Sequence, residues 1–352
     1  MSKKALELGS RTIYLRKPIT NVDYRTKTVL TNSAWEYVEL WLMRYRKDAK
    51  RKERALFYWR QARNFYIASE KLSLESKPLT AYYCCLNASK ALLAIRGDQG
   101  IDFQNILHGV GCKAQGAGAN LKETILKFGK KGVYLELMKY FGISNTNNEY
   151  NVYELLYNIP IIHRTFSITY NKPELFIPVK NIEFVVDQKI KKGWLEFEVD
   201  RHYANGKSLK NISNHFERIP SQDSRYLMRC KRRFAWDIHI NQDARIEELS
   251  RYHSIVRKDF YYIYGDTRLW YIKKDIPSNN VNLNRNSVLL MYPIMHWLSE
   301  LTRYNPEKFS ILMQAKCNWL IHEFIENALV HFIDEISCEM TSSEIMVPGY
   351  KR

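Results

Sequence analysis

The chain of 352 residues carries 54 Lys and Arg against 37 Asp and Glu, a formal net charge of +17 that draws polyanions. With 45% hydrophobic residues, 14 glycines and 10 prolines, a packed core is expected, in one large domain or two to three ordinary ones, without long disordered linkers. The first ten residues contain no apolar leader, no run approaches the roughly 20 apolar residues of a membrane span, and six cysteines without regular spacing suit reduced thiols, so a cytoplasmic location away from membranes is expected.

In chain order, residues 1–34 are mixed, with a strand-like fragment at Thr12 to Leu15. Thr31, Asn32 or Ser33 can cap a short helix holding Trp35, Val38, Leu42 and Tyr45. The basic run Arg44 to Arg54 leads into a helix over about Glu53 to Leu72, where Tyr58, Ala62, Phe65, Ser69 and Leu72 keep the helical period. A short connection then predicts an antiparallel partner helix starting at Pro78 and ending near Gly97. Its face of Ala81, Cys84, Cys85, Ala88, Ala91, Leu92 and Ile95 is mostly small, and Leu79, Tyr82, Leu86 and Leu93 lie elsewhere around the cylinder. Apolar on most sides, it should be buried by neighbours on several flanks, leaving one polar stripe of Tyr83, Asn87 and Lys90.

Two further helices are expected at Ala119 to Phe128 and Val133 to Phe141, before the polar run 144–148. From Tyr153 the character turns β-like: HRTFSITY, LFIPVKNIEFVV, GWLEFEVDR, RRFAWDIHI, KDFYYIY and RLWYI read as strands, with a helix at Asn205 to Phe216 between them. Trp194, Glu196 and Glu198 fall on one strand face and Leu195, Phe197 and Val199 on the other. Short connections make this layer, residues 155–275, largely antiparallel. After PSNNVNLN at 277–284 the helical period returns in Ser287 to Tyr304, threatened by Pro293, and in one long helix from about Glu307 to Cys338. The fold expected is therefore α+β, with N- and C-terminal helical segments packing together around or beside a central antiparallel layer. The regions are 1–152, 153–280 and 281–352.

Several motifs invite chemistry. Gly109 to Gly118 is glycine-rich but lacks a P-loop ending and a third fingerprint glycine, so it reads as a flexible connection. His322-Glu323 has Glu326 where a zincin needs its second histidine, and with His331 and Glu335 it reads as helix-surface pairing. No metal or cofactor is expected. Arg233-x5-His239 has the spacing of a ribonuclease element, but within a strand-like segment. The loop beyond Gly97 delivers His108, and Arg96 closes the helix before it. These two are the catalytic candidates, His108 for proton transfer and Arg96 for an anion. Tyr83, Asn87 and Lys90 are binding candidates beside them. Arg44, Arg46, Lys47, Arg51 and Lys52 in the first basic run, and Arg229, Lys231, Arg232 and Arg233 in the second, are candidates for phosphate contacts. Trp194, Tyr261 and Trp270 can stack bases or fill a sheet core. By contrast, Cys317 to Tyr350 contains acids and no Lys or Arg, which suits a protein partner or a second copy of the chain. Nucleic acid is the partner this pattern favours.

The residues Gln61-Ala62-Arg63-Asn64-Phe65-Tyr66, Lys77-Pro78-Leu79, Tyr82-Tyr83, Lys90-Ala91 and His108-Gly109 resemble the YaaC-like family of bacterial proteins. Leu289-Leu290-Met291-Tyr292, Leu298-Ser299 and Arg303-Tyr304 with Pro306 continue the likeness near the other end. The resemblance implies an intracellular bacterial protein with a helix–β–helix layout and supplies no activity. The Tyr82 to Gly97 helix is also similar to HEPN-type helical domains, which implies RNA-related or host-defence roles, including metal-independent RNA cleavage.

Overall fold

The computed structural model describes residues 3–144, 148–221, 225–265, 267, 269–275, 283 and 285–349. Residues 145–147 of the expected polar run, and the segment 277–284 apart from Leu283, lie outside them. Helices α1 (Ala34–Met43), α2 (Ala49–Ser69) and α3 (Lys77–Arg96) come first, followed by α4 (Val133–Tyr140), α5 (Val152–Tyr157) and α6 (His163–Tyr170). Helices α7 (Gly206–Leu209) and α8 (Gln242–Val256) lie among the strands. The chain then forms α9 (Ser287–Tyr304), α10 (Pro306–Gln314) and α11 (Asn318–Thr341). This is the α+β arrangement, divided into two compact units: Thr31–Glu174 with Asn279–Thr341, and Met1–Leu30 with Leu175–Ser278 and Ser342–Arg352.

In the helical unit, helices from both ends of the chain pack on α3. Asp48 caps α2 by accepting from Arg51 N–H at 3.0 Å, so the helix begins inside the basic run rather than after it. The start of α2 meets the end of α3 through Arg51, and its end meets the start of α3 where Phe65 stacks on Tyr83 at 5.3 Å. The pair is therefore antiparallel. Lys77 pairs with Glu326 at 2.7 Å and Arg96 reaches the Met340 carbonyl, so α11 runs parallel to α3. Ala81, Cys84, Ala88 and Ala91 are fully buried, because only small side chains admit helices this close on several flanks. Gly97 ends α3 through close approach: a Cβ there would lie 2.7 Å from the Leu93 carbonyl oxygen.

Pro293 sits inside α9 and has no N–H for the carbonyl of Leu289, four residues earlier. Tyr134 of α4 fills the place: its hydroxyl donates to Leu289 O at 2.9 Å and accepts from buried Arg285 at 2.7 Å. The proline thus sits inside α9 without leaving an orphan acceptor.

In the other unit, strands Phe176–Asp187 and Lys192–Val199 pair antiparallel with Phe184 opposite Leu195. Tyr226–Cys230 and Phe216–Arg218 extend one side of this sheet, and Leu269–Lys273 and Phe260–Ile263 the other. Leu195, Phe197 and Val199 face a core that also takes Ile246, Leu249, Tyr252 and Val256 of α8. On the opposite face, Trp194 donates to Glu196 at 2.6 Å, and Glu196 pairs with Lys3. Arg257 is buried and donates to the carbonyls of Arg16 and Lys17, while Lys17 donates to Ile345 O.

Several expected elements fold otherwise. Residues 119–128 were expected to be helical, but Ile125–Phe128 is the middle strand of a small sheet with Val110–Ala114 and Glu149–Asn151. Pairing therefore also orders the glycine-rich stretch that read as a flexible connection. HRTFSITY is α6 rather than a strand: His163, Phe166 and Ser167 share a buried helical face, and Phe166 stacks on Tyr157 at 4.8 Å. Only one helical turn forms in 205–216, capped by Asn205. Of RRFAWDIHI only Phe234–Ala235 pairs, and α8, capped by Asn241, follows within the stretch that reads as a β-rich layer. The long C-terminal helix is broken at residues 315–317, between α10 and α11.

Replacing Tyr134 by Phe leaves both Leu289 O and Arg285 short of a partner. The expected cost is about 1–3 kcal/mol in urea unfolding. Adding Pro293→Ala to Tyr134→Phe restores a backbone donor for Leu289 O, and part of that loss should return.

Candidate functional site

His108 follows α3 on a loop held by backbone bonds. Val133 N–H donates to Leu107 O at 2.8 Å, Tyr134 N–H to His108 O at 3.3 Å, and Gly129 N–H to Gly109 O at 2.9 Å. Gly132, at φ 122°, lets the two backbones touch, since a Cβ there would lie 2.6 Å from Gly109 N.

His108, Tyr82 of α3 and Tyr292 of α9 form a closed hydrogen-bonded ring. His108 Nδ1 lies 2.5 Å from the Tyr82 hydroxyl, which is 3.3 Å from the Tyr292 hydroxyl, and Tyr292 donates back to His108 O at 3.3 Å. Only one proton arrangement supplies all three bonds. The carbonyl accepts from Tyr292, Tyr292 accepts from Tyr82, and Tyr82 accepts from His108 Nδ1–H. In the neutral imidazole Nε2 is then bare. His108 is solvent-exposed as a residue, but ring contacts with Tyr82 and His296 take one side out of water. That desolvation, and then the charge of Lys90, lower its pKa, so it is neutral near pH 7. His296 packs on Tyr82 at 4.8 Å and is pushed down to about 4, by burial first and His108 second. Its Nδ1 and Glu300 Oε2 lie 3.6 Å apart, both buried without a hydrogen-bond partner. Burial raises the Glu300 carboxyl.

The stripe Tyr83, Asn87 and Lys90 lies half-buried along the seam between α2 and α3. Asn87 donates to Tyr83 O at 2.8 Å, an in-helix bond that leaves its side-chain oxygen available. The Lys90 ammonium sits 5.2 Å from the Tyr58 ring, and burial lowers its pKa. Tyr58 touches Phe103, and Phe103 lies under Arg54 at 4.9 Å. A continuous line of rings and cations therefore joins the basic run to Lys90, the charge that acts on His108. Arg96 is not part of it. Its Nε and one terminal nitrogen donate to Met340 O at 3.0 and 2.8 Å, capping α11, and its guanidinium lies over Trp41. Arg51 is likewise engaged, on Ala94 O and Gly97 O at 2.7 Å each. Arg44, Arg46 and Lys47 are exposed, as is Lys50, and Lys52 is half-buried.

The second basic run belongs to the sheet unit. Arg229 pairs with Glu217 at 2.8 Å and, with exposed Arg233, flanks the Trp194 ring at 5.3 and 5.4 Å. Lys231 and Arg232 are exposed. Trp194, Tyr261 and Trp270 are buried, and His239 sits in an exposed turn. His331 bonds Glu335 at 3.0 Å in the interior, not at the helix surface, because α11 is buried there on all sides. Glu323 accepts from Asn327, not from His322. Among the described residues, no group of three or more His, Cys, Asp or Glu side chains is placed to hold a metal ion. A cavity of about 510 Å³ beside Leu107 is lined by Asp98, Asp102 and Glu136 and by Lys130, Lys131 and Lys139, whose charges offset one another.

Tyr82, Tyr292, His296 and Tyr58 were not picked out as site residues. The available signal was the i, i+4 spacing of Tyr292 and His296 around Pro293, which reads as ordinary core without its partner on α3.

The molecule is a mixed α/β protein whose central buried helix carries a histidine–tyrosine site at its edge. The family model described as YaaC-like protein matches residues 19–340, and the chain belongs to that family. No curated protein and no solved structure matches it. Among the described residues, no helix is long and apolar enough to cross a membrane.

Lys90→Met removes the positive charge that disfavours imidazolium at His108. The His108 pKa should rise, as read by NMR titration of its ring protons. An unchanged or lower value would place Lys90 outside the site.

Proposed function

We propose that this YaaC-like protein associates with nucleic acid, RNA ahead of DNA, through the turn between α1 and α2 and the α2–α3 seam. One observation carries the reading. Arg44, Arg46, Lys47 and Lys50 are exposed, and no ion pair to any of them occurs among the described residues. Arg46, Lys47 and Lys50 also surround the N-terminal end of α2, where the helix dipole disfavours positive charge. Folding gains nothing from cations placed there, whereas a phosphate backbone does. Farther along α2, Arg60 and Arg63 pair with Glu39 and Glu36, so the free charge is concentrated at one end. Phe57, 58% exposed, and the half-buried Tyr58, Phe65 and Tyr83 offer rings for bases next to that charge.

A second reading, metal-independent RNA cleavage of the HEPN-like kind, is favoured by the bare nitrogen of neutral His108 beside Lys90. It predicts RNA cleavage in EDTA that is lost in His108→Ala. A role in host defence is what the HEPN-type likeness implies for either reading.

Fluorescence anisotropy with a 20-nucleotide RNA tests the first reading. Binding should weaken steeply with salt, and replacing Arg44, Arg46, Lys47 and Lys50 by Gln should lower the log–log salt slope by about 3. Absence of salt-dependent binding to RNA and DNA alike would refute it.

A further inference from the structure

We infer that His108 accepts a hydrogen bond from a ribose 2′-hydroxyl, so that the site between α3 and α9 distinguishes RNA from DNA. The inference rests on the nucleic-acid reading above and names the group the site reads. The closed ring commits Nδ1–H to Tyr82, and Tyr82 and Tyr292 carry the remaining bonds back to the His108 carbonyl. The imidazole is thereby held in one tautomer and one orientation, since a rotated ring would lose its bond to Tyr82. Its other nitrogen has a lone pair and no hydrogen. Phosphate oxygens, like that lone pair, only accept, so the nitrogen gains nothing from the backbone anion itself. Deoxyribose offers it no donor either, whereas ribose offers the 2′-hydroxyl.

The surroundings suit that sugar. Lys90, half-buried on the Tyr58 ring, supplies a cation for an adjacent phosphate, on the same helix face as Asn87 and Tyr83. The buried His296 ring lies 5.5 Å from the His108 ring, and its Nδ1 has no hydrogen-bond partner among the described residues.

The experiment compares three 20-nucleotide strands of one uracil-containing sequence: RNA, its 2′-O-methyl form and its 2′-deoxy form. Binding to the full chain is measured by anisotropy at one salt concentration. RNA should bind about tenfold more tightly than either of the others, the effect of one net hydrogen bond. His108→Ala should bring the three affinities together through a loss that falls mainly on the RNA strand. Tyr82→Phe, which leaves the imidazole in place but frees its tautomer, should shrink the preference and shift the ring ¹⁵N resonances. An RNA preference that survives His108→Ala overturns the inference, as does ¹⁵N NMR placing the proton of wild-type His108 on Nε2 at pH 7. If all three strands bind equally well with a strong salt dependence, only the 2′-hydroxyl inference falls. If none binds, the nucleic-acid reading falls and this inference with it.

Discussion

The helical unit depends on burying one helix on nearly every side. Twenty residues from Lys77 to Arg96 place Ala and Cys where neighbours come closest, and close packing makes each added methylene there costly. A buried helix must also find partners for its end groups within the protein. Arg51 takes the carbonyls of Ala94 and Gly97 at its C-terminal end, and Lys77 at its start is paired with Glu326. Arg51, a phosphate-contact candidate in the sequence, and Lys77 are thus consumed by the architecture. Arg16, Lys17, Arg257 and Arg285 are buried in the same way, so part of the +17 excess never reaches solvent. What remains exposed is correspondingly local.

The second dependence passes through Tyr134. Its hydroxyl replaces the backbone donor that Pro293 lacks, and its own N–H holds the His108 carbonyl. One residue of α4 therefore bonds both α9, which carries Tyr292 and His296, and the loop that carries His108. The three-membered ring of His108, Tyr82 and Tyr292 closes only when both are in place. A helix defect and a loop anchor combine to fix the protonation pattern of one imidazole.

Much of this was legible before any coordinates. Pro78 and Gly97 bound α3 as the sequence implied, and its small-residue face is the buried one. The alternation of Trp194 to Val199 divides between the two sheet faces as read. The misread elements share a cause. HRTFSITY alternates β-branched and polar residues like a strand, but Tyr153 and Tyr157 stack against Phe166 and hold it helical. Residues 119–128 read as a helix, yet two partner strands claim the backbone of Ile125–Phe128. Where local preference is weak, non-local pairing decides, and a single sequence does not display its pairings. The site divides likewise. The stripe of Tyr83, Asn87 and Lys90 follows from helical spacing, whereas Tyr82 and Tyr292 stand 210 residues apart.

By itself, the sequence determined the charge excess, where the basic runs fall, which helix must be buried, and the family to which the chain belongs. The first three follow from composition and short-range period, the last from a residue-by-residue resemblance over most of the chain. Tertiary structure alone decided which cations are free and which are caps, sending Arg51 and Arg96 to carbonyls while leaving Arg44, Arg46 and Lys47 in water. It also decided that His108 presents a bare nitrogen. The reason is the same in each case: a hydrogen-bonding group's chemistry depends on its partner, and these partners come from distant parts of the chain.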